Sequence, residues 1–100
     1  MKKKLCVILL IVLLVFACEE QDKVVDGRTI YKKNCVICHG AKGDMGAGGA
    51  YNLAVSKLSL EERIHVVTNG RKAMAAYKKV LSEEEIAAVA AYTQSLKLEK

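Results

Sequence analysis

Cys35, Cys38 and His39 stand together in the string CVICH, followed at once by Gly40. Two thiols on one turn of chain can each add to a vinyl group of the same porphyrin, forming two thioethers. The imidazole beside the second thiol then lies under the iron as proximal ligand. The spacing therefore points to one covalently attached haem c. Three other chemistries fit these residue types less well. A thioredoxin-type pair needs a βαβ context, and nothing in the chain reads as a strand. A structural zinc site would have to recruit Cys35, Cys38, His39 and His65, and adjacent Cys38 and His39 crowd a tetrahedral ion. A Cys35–Cys38 disulfide closes too short a loop to stabilise much.

A sixth ligand would decide what such an iron does. Bound methionine favours electron transfer, whereas an open position admits gases. Three side chains after His39 are available. Met45 follows closely, in the segment expected to stay on the His39 side. His65 lies beside Val66 and Val67, where a helix histidine usually packs or faces solvent. Met74 lies in a loop between two helices, where a chain that has wrapped round a haem can return over its opposite face.

The remaining two cysteines belong to an address. Lys2, Lys3 and Lys4 precede an unbroken apolar run, Leu5–Ala17, and Cys18 opens the polar stretch Glu19–Lys23. Thirteen apolar residues suit a signal peptide and fall short of a spanning helix. Residues 1–17 are thus expected to be a signal peptide, with Cys6 a small hydrophobe inside it. Val15-Phe16-Ala17-Cys18 resembles a lipoprotein box. Cys18 is then the lipidation site, 18–23 a tether, and 24–100 the haem domain. The expected location is the periplasm or the outer face of the cell membrane, lipid-anchored.

With that leader set aside, the composition reads differently. The 100-residue chain carries a net charge of +5. From Cys18 onward, however, 13 basic residues face 11 acidic ones, too even a balance for a nucleic-acid-binding domain. About 46% of that part is apolar, ordinary for a globular chain. One small all-α domain is expected, of a size at which a porphyrin would help supply the core.

Three helices would position the chemistry. Val24–Asn34 runs into CVICH. Five of the seven glycines, Gly40, Gly43, Gly46, Gly48 and Gly49, make the next segment an irregular loop. Ser59–Glu62 is a capping box opening a helix that stops at Asn69-Gly70. Ser82–Glu85 is a second such box, and the helix after it sets Ile86, Val89, Ala90, Thr93 and Leu96 along one stripe.

From about Val24 to Leu98 the chain resembles a small bacterial class I cytochrome c. Gly27 and Tyr31 match the N-terminal helix positions that cross the C-terminal helix, and Val89 and Tyr92 match the positions that receive them. CVICHG matches the haem motif, and the Gly-rich loop with Asn52-Leu53 resembles the segment that wraps the proximal edge. Asn69-Gly70-Arg71-Lys72-Ala73-Met74 resembles the loop carrying a distal methionine. The chain has no proline, so Tyr51 and Ala75 stand where the family usually has one. The Tyr51 carbonyl could still accept the His39 ring N–H.

The resemblance implies a cytochrome c fold, three to four short helices around one covalent haem. His39 and Met74 would be its axial ligands, and Tyr31 and Asn52 would lie about the cofactor. It implies no enzyme and no small-molecule substrate, but an electron carrier between respiratory or photosynthetic membrane complexes. A haem subunit of a larger oxidase or reductase is the alternative, or a gas-binding protein if Met74 is not a ligand. Arg71, Lys72, Lys78 and Lys79 flank Met74 and would form a basic docking patch for a redox partner.

Overall fold

The computed structural model describes residues 24–96. The signal segment, Cys18, the tether to Lys23 and the last four residues lie outside the described residues. Four α-helices occur within it, α1 (Gly27–Asn34), α2 (Val36–His39), α3 (Leu60–Asn69) and α4 (Glu83–Gln94), with a 3-10 turn at Ala47–Gly49. No helix there is long and apolar enough to cross a membrane.

Helix α1 starts three residues later than the sequence suggests. Asp26 is its N-cap: one carboxylate oxygen accepts the Arg28 amide at 3.1 Å and the other accepts the Thr29 hydroxyl at 2.8 Å. An aspartate capping its own helix outcompetes continuation of the helix through it. Val24 therefore lies before the helix and is 86% exposed instead of packed. Both predicted capping boxes form. Ser59 and Glu62 bond reciprocally at the start of α3, and Ser82 and Glu85 at the start of α4. Helix α3 stops at Gly70, whose φ of 75° releases the chain into the next loop. Leu96, the last residue of the predicted stripe, falls beyond α4 and is half-buried.

Helices α1 and α4 cross closely because Gly27 has no side chain. A Cβ there would land on the Ala88 carbonyl and lie 3.2 Å from the Tyr92 Cβ. One turn on, the Tyr31 and Tyr92 rings meet at 5.2 Å, tilted by 51°, within the favourable range for aromatic pairs. The buried apolar core comprises Ile30, Tyr31, Val67, Ile86, Val89 and Ala90. Each large member contributes about 1.5–3 kcal/mol by leaving water. Around it lies a band of half-buried apolar side chains, Cys35, Val36, Leu53, Ile64, Met74, Tyr77 and Leu81 among them. This band continues the core toward the CVICH turn.

A buried arginine joins α3 to α4. Arg63 donates from Nη1 to Thr93 Oγ1 at 3.0 Å, from Nε to the Leu58 carbonyl at 2.9 Å and from Nη2 to the Ser56 carbonyl at 2.9 Å. Three oxygen acceptors thus compensate the burial of its charge. The same bonds fasten the strand of chain that enters α3.

Candidate functional site

Cys35 closes α1, its amide bonded to the Tyr31 carbonyl at 2.9 Å, and the single turn of α2 follows. That turn sets Cys35 half-buried and Cys38 exposed, and neither is in a disulfide. Burial pushes the Cys35 thiol up to about 11, so it stays protonated at neutral pH.

His39, at the end of the turn, is buried. Its Nδ1 lies 3.0 Å from the Tyr51 carbonyl oxygen. A carbonyl can only accept, so Nδ1 carries the proton and Nε2 carries the lone pair. No buried polar side-chain atom among the described residues lacks a partner. Nε2, which has none, therefore reaches accessible space. The result is a ligand-ready imidazole of fixed tautomer beside two free thiols, which is what a covalently held haem needs. The residues fit the group.

The loop after α2 returns to support this turn. Tyr31 donates its hydroxyl to the Gly40 carbonyl at 2.6 Å, and burial pushes that phenol up to about 12. The amide of Leu53 reaches the Gly43 carbonyl at 2.8 Å, and Asn52 Oδ1 accepts the Ala54 amide at 2.9 Å. Tyr31 and Asn52 thus act on the backbone around His39: Tyr31 ties the end of the motif to the core, and Asn52 shapes the turn after Tyr51.

Met74 sits in a tight turn. Its amide donates to the Arg71 carbonyl at 2.9 Å, and the Arg71 amide donates to the Met74 carbonyl at 3.2 Å. Lys72 between them has φ 54°, a left-handed conformation that costs a non-glycine residue about 1–2 kcal/mol. Gly70 is required at the base of the turn, since a Cβ there would lie 2.6 Å from the Met74 carbonyl oxygen. The loop then docks back. The Tyr77 amide bonds to the Val67 carbonyl at 2.9 Å, and the Tyr77 hydroxyl donates to the Asn34 carbonyl at 3.2 Å. Burial raises the Tyr77 phenol above its usual range, and the neighbouring Cys35 and Cys38 add to the effect. The Met74 loop is thereby pinned to the end of α1 where the thiols begin, with Met74 half-buried against the core.

The other candidates stand apart. Met45 is 53% exposed, and its amide bonds to the His39 carbonyl at 3.0 Å. His65 is exposed on α3, its carbonyl and ring nitrogen both bonded to the Asn69 side chain. Among the described residues no three His, Cys, Asp or Glu side chains converge on a point, so the zinc alternative finds no support. The groove of about 710 Å³ between α1 and the start of α4 is lined by none of Cys35, Cys38, His39 or Met74.

Arg71, Lys72, Lys78 and Lys79 are all exposed. Arg71 is also engaged, its guanidinium carbon 5.7 Å from the centre of the Tyr51 ring. Sequence reasoning missed Tyr77 and Arg63. Tyr77 follows Met74 by three residues, and an aromatic so close to a candidate ligand could have been noticed. Arg63 gives no such signal, because Glu61-Glu62-Arg63 reads as an exposed charge run.

The chain is similar to several known proteins. The family described as cytochrome c oxidase, cbb3-type, subunit III, matches residues 22–92. A cytochrome c6-like protein of Nostoc sp. is 38% identical over 77 residues, covering 71% of this chain and 68% of its own length. Cytochrome c6 of Leptolyngbya boryana is 38% identical over 72 residues, covering 66% of this chain and 84% of its own. Among solved structures, the KustC0563 c-type cytochrome superposes with a TM-score of 0.68 at 28% identity, over 74% of this chain and all of that one.

Proposed function

Because the chain belongs to the small class I c-type cytochromes, we propose that Cys35 and Cys38 would carry its haem as thioethers and that His39 and Met74 would ligate the iron. The family consists of electron-transfer proteins with covalently bound haem c. Bound here, haem c supplies an iron that takes up and gives back one electron.

The chain's own residues do the rest. Tyr51 holds the proton on Nδ1, which leaves Nε2 as the donor and raises its basicity as a ligand. Tyr31 and Tyr77 fasten the two ends of the site to the helices. The apolar band from Val36 to Leu81 supplies a low-dielectric surround, and burial of this kind, with methionine ligation, moves a haem toward high potential. If His39 and Met74 both held the iron, they would leave no position on it for a substrate, which supports the reading of an electron carrier.

The observation that carries this reading is the His39–Tyr51 bond on the same turn as two free thiols. Optical spectroscopy tests the ligand set. The ferric protein is expected to show the weak far-red band of sulfur-ligated haem, and the ferrous protein to resist carbon monoxide. Rapid carbon monoxide binding with no such band would favour a gas-binding protein.

The finer reading is an exported carrier, lipid-anchored through Cys18 and exchanging electrons with membrane complexes. Arg71, Lys72, Lys78 and Lys79 would form its docking patch. A Cys18→Ser variant should leave the membrane still red. The match to an oxidase subunit family favours a second reading, a haem subunit fixed in a larger complex. The two separate by the size of detergent-extracted native material, about that of the monomer for a carrier and far larger for a subunit.

A further inference from the structure

Four residues form a connected line from one candidate axial ligand to the other. Met74 exchanges two backbone hydrogen bonds with Arg71. The Arg71 guanidinium lies over the Tyr51 ring at 5.7 Å. The Tyr51 carbonyl takes the Nδ1 proton of His39 at 3.0 Å. Arg71 therefore belongs to both loops at once. Its backbone sets where Met74 sits, and its side chain rests on the residue that orients His39.

The Met74 loop needs such a tie. The chain has no proline anywhere, so no ring restricts the backbone on either side of Met74. Lys72 holds the turn in a left-handed conformation that favours glycine. A turn of that kind opens unless contacts outside it hold it closed. The Tyr77 bonds secure the C-terminal side of the loop. On the N-terminal side, the Arg71–Tyr51 contact reaches out of the loop to the residue whose carbonyl accepts from His39.

We propose that Arg71 is a positioning residue whose stack on Tyr51 clasps the Met74 loop to the His39 loop and keeps Met74 on the iron. The inference rests on the His39/Met74 reading above. Both side chains are exposed, so the attraction is that of a solvated cation on an aromatic face. It shifts the closed-to-open ratio of the loop by about two- to fivefold. The design also separates the two duties of Tyr51. Its ring receives Arg71 and its backbone carbonyl receives His39, so a side-chain substitution alters the clasp and leaves the proximal bond in place.

Imidazole is the probe, because it occupies the iron only when Met74 leaves, and its apparent affinity therefore reads the open fraction. It is titrated into the ferric holoprotein of wild type, Arg71→Gln, Tyr51→Leu and the double variant, following the far-red sulfur band. Each single variant is expected to bind imidazole about two- to fivefold more tightly. The double variant should be no tighter than either single, as for two residues acting through one contact. Tyr51→Phe, which keeps the ring, should behave as wild type. Unchanged affinity in the singles, effects that multiply in the double, or a Tyr51→Phe protein that matches Tyr51→Leu would overturn the clasp. A wild-type ferric protein without a sulfur band would instead overturn the axial-ligand reading, and the clasp with it.

Discussion

The Nδ1–H of His39 donates to the backbone carbonyl of Tyr51 across 3.0 Å, so a residue twelve positions along the chain fixes the tautomer of the ring. The acceptor is main chain, which explains how the bond survives with tyrosine at this position. What a ring-locked residue would add is stiffness. In its place the chain has two bonds between a loop and α1, Tyr31 to Gly40 and Tyr77 to Asn34, and one between loop segments, Leu53 to Gly43.

Gly70 is the first place to test that economy. Its φ is 75°, and a Cβ would lie 2.6 Å from the Met74 carbonyl oxygen and 3.0 Å from the Ala75 carbonyl carbon. Gly70→Ala should cost about 2 kcal/mol or more, because backbone strain and a backbone clash act together. The ferrous variant should bind carbon monoxide where wild type does not. Denaturant unfolding and a carbon monoxide difference spectrum check the two effects separately.

Arg63 predicts a loss of a different kind. Arg63→Met removes three hydrogen bonds and leaves the Leu58 and Ser56 carbonyls without their donor. The cost should be about 2–4 kcal/mol, since each is a bond to a charged group in a largely dry place. Arg63→Lys should recover only part of it, because one ammonium cannot span acceptors on α4 and on the chain before α3. Urea midpoints of the two variants decide the matter.

How much of this was legible in the sequence follows the range of the forces involved. Both capping boxes and the Gly70 stop are local hydrogen-bond patterns, and they appear where Ser59, Ser82 and Asn69-Gly70 announce them. The stripe Ile86, Val89, Ala90, Thr93 is periodic, and all four are buried. The start of α1 was misplaced because the apolar Val24 outweighed a single Asp26, although the cap decides where a helix begins. At the site, the Tyr51 carbonyl was anticipated from family resemblance. The roles of Arg63, Tyr77 and the Arg71–Tyr51 contact were not, because each joins segments whose approach only the packed helices determine.

The Asp26 cap carries a pH signature. The Thr29 hydroxyl, and after it the Arg28 amide, hold this carboxyl below its usual range. A carboxyl with a lowered folded value stabilises the fold above its unfolded value of about 4. That stabilisation is lost as pH falls through the lower folded value. Asp26→Asn keeps the acceptor without the titration. Wild type should therefore show a steeper loss of stability below about pH 4 than the variant. Thermal midpoints measured at a series of acid pH values give both curves.

Lys78 and Lys79 follow Tyr77 and are exposed. If they lie beside the electron's exit, charge on a small oxidant should sense them. Lys78→Glu/Lys79→Glu should slow oxidation by ferricyanide and speed oxidation by a cationic cobalt complex. Both differences should shrink as ionic strength approaches 1 M, where screening acts within about 3 Å. Stopped-flow rates that are insensitive to the double substitution with both oxidants would move the exit to another face.

The central claim is a pair of covalent bonds at Cys35 and Cys38, and one measurement reads them directly. Trypsin cleaving after Lys33 and Lys42 releases the nine residues from Asn34 to Lys42. That peptide carries both thiols and His39. Mass spectrometry after treatment with a thiol-alkylating reagent should find it heavier by one haem and free of alkylation. A peptide of unmodified mass that takes two alkyl groups would contradict the account.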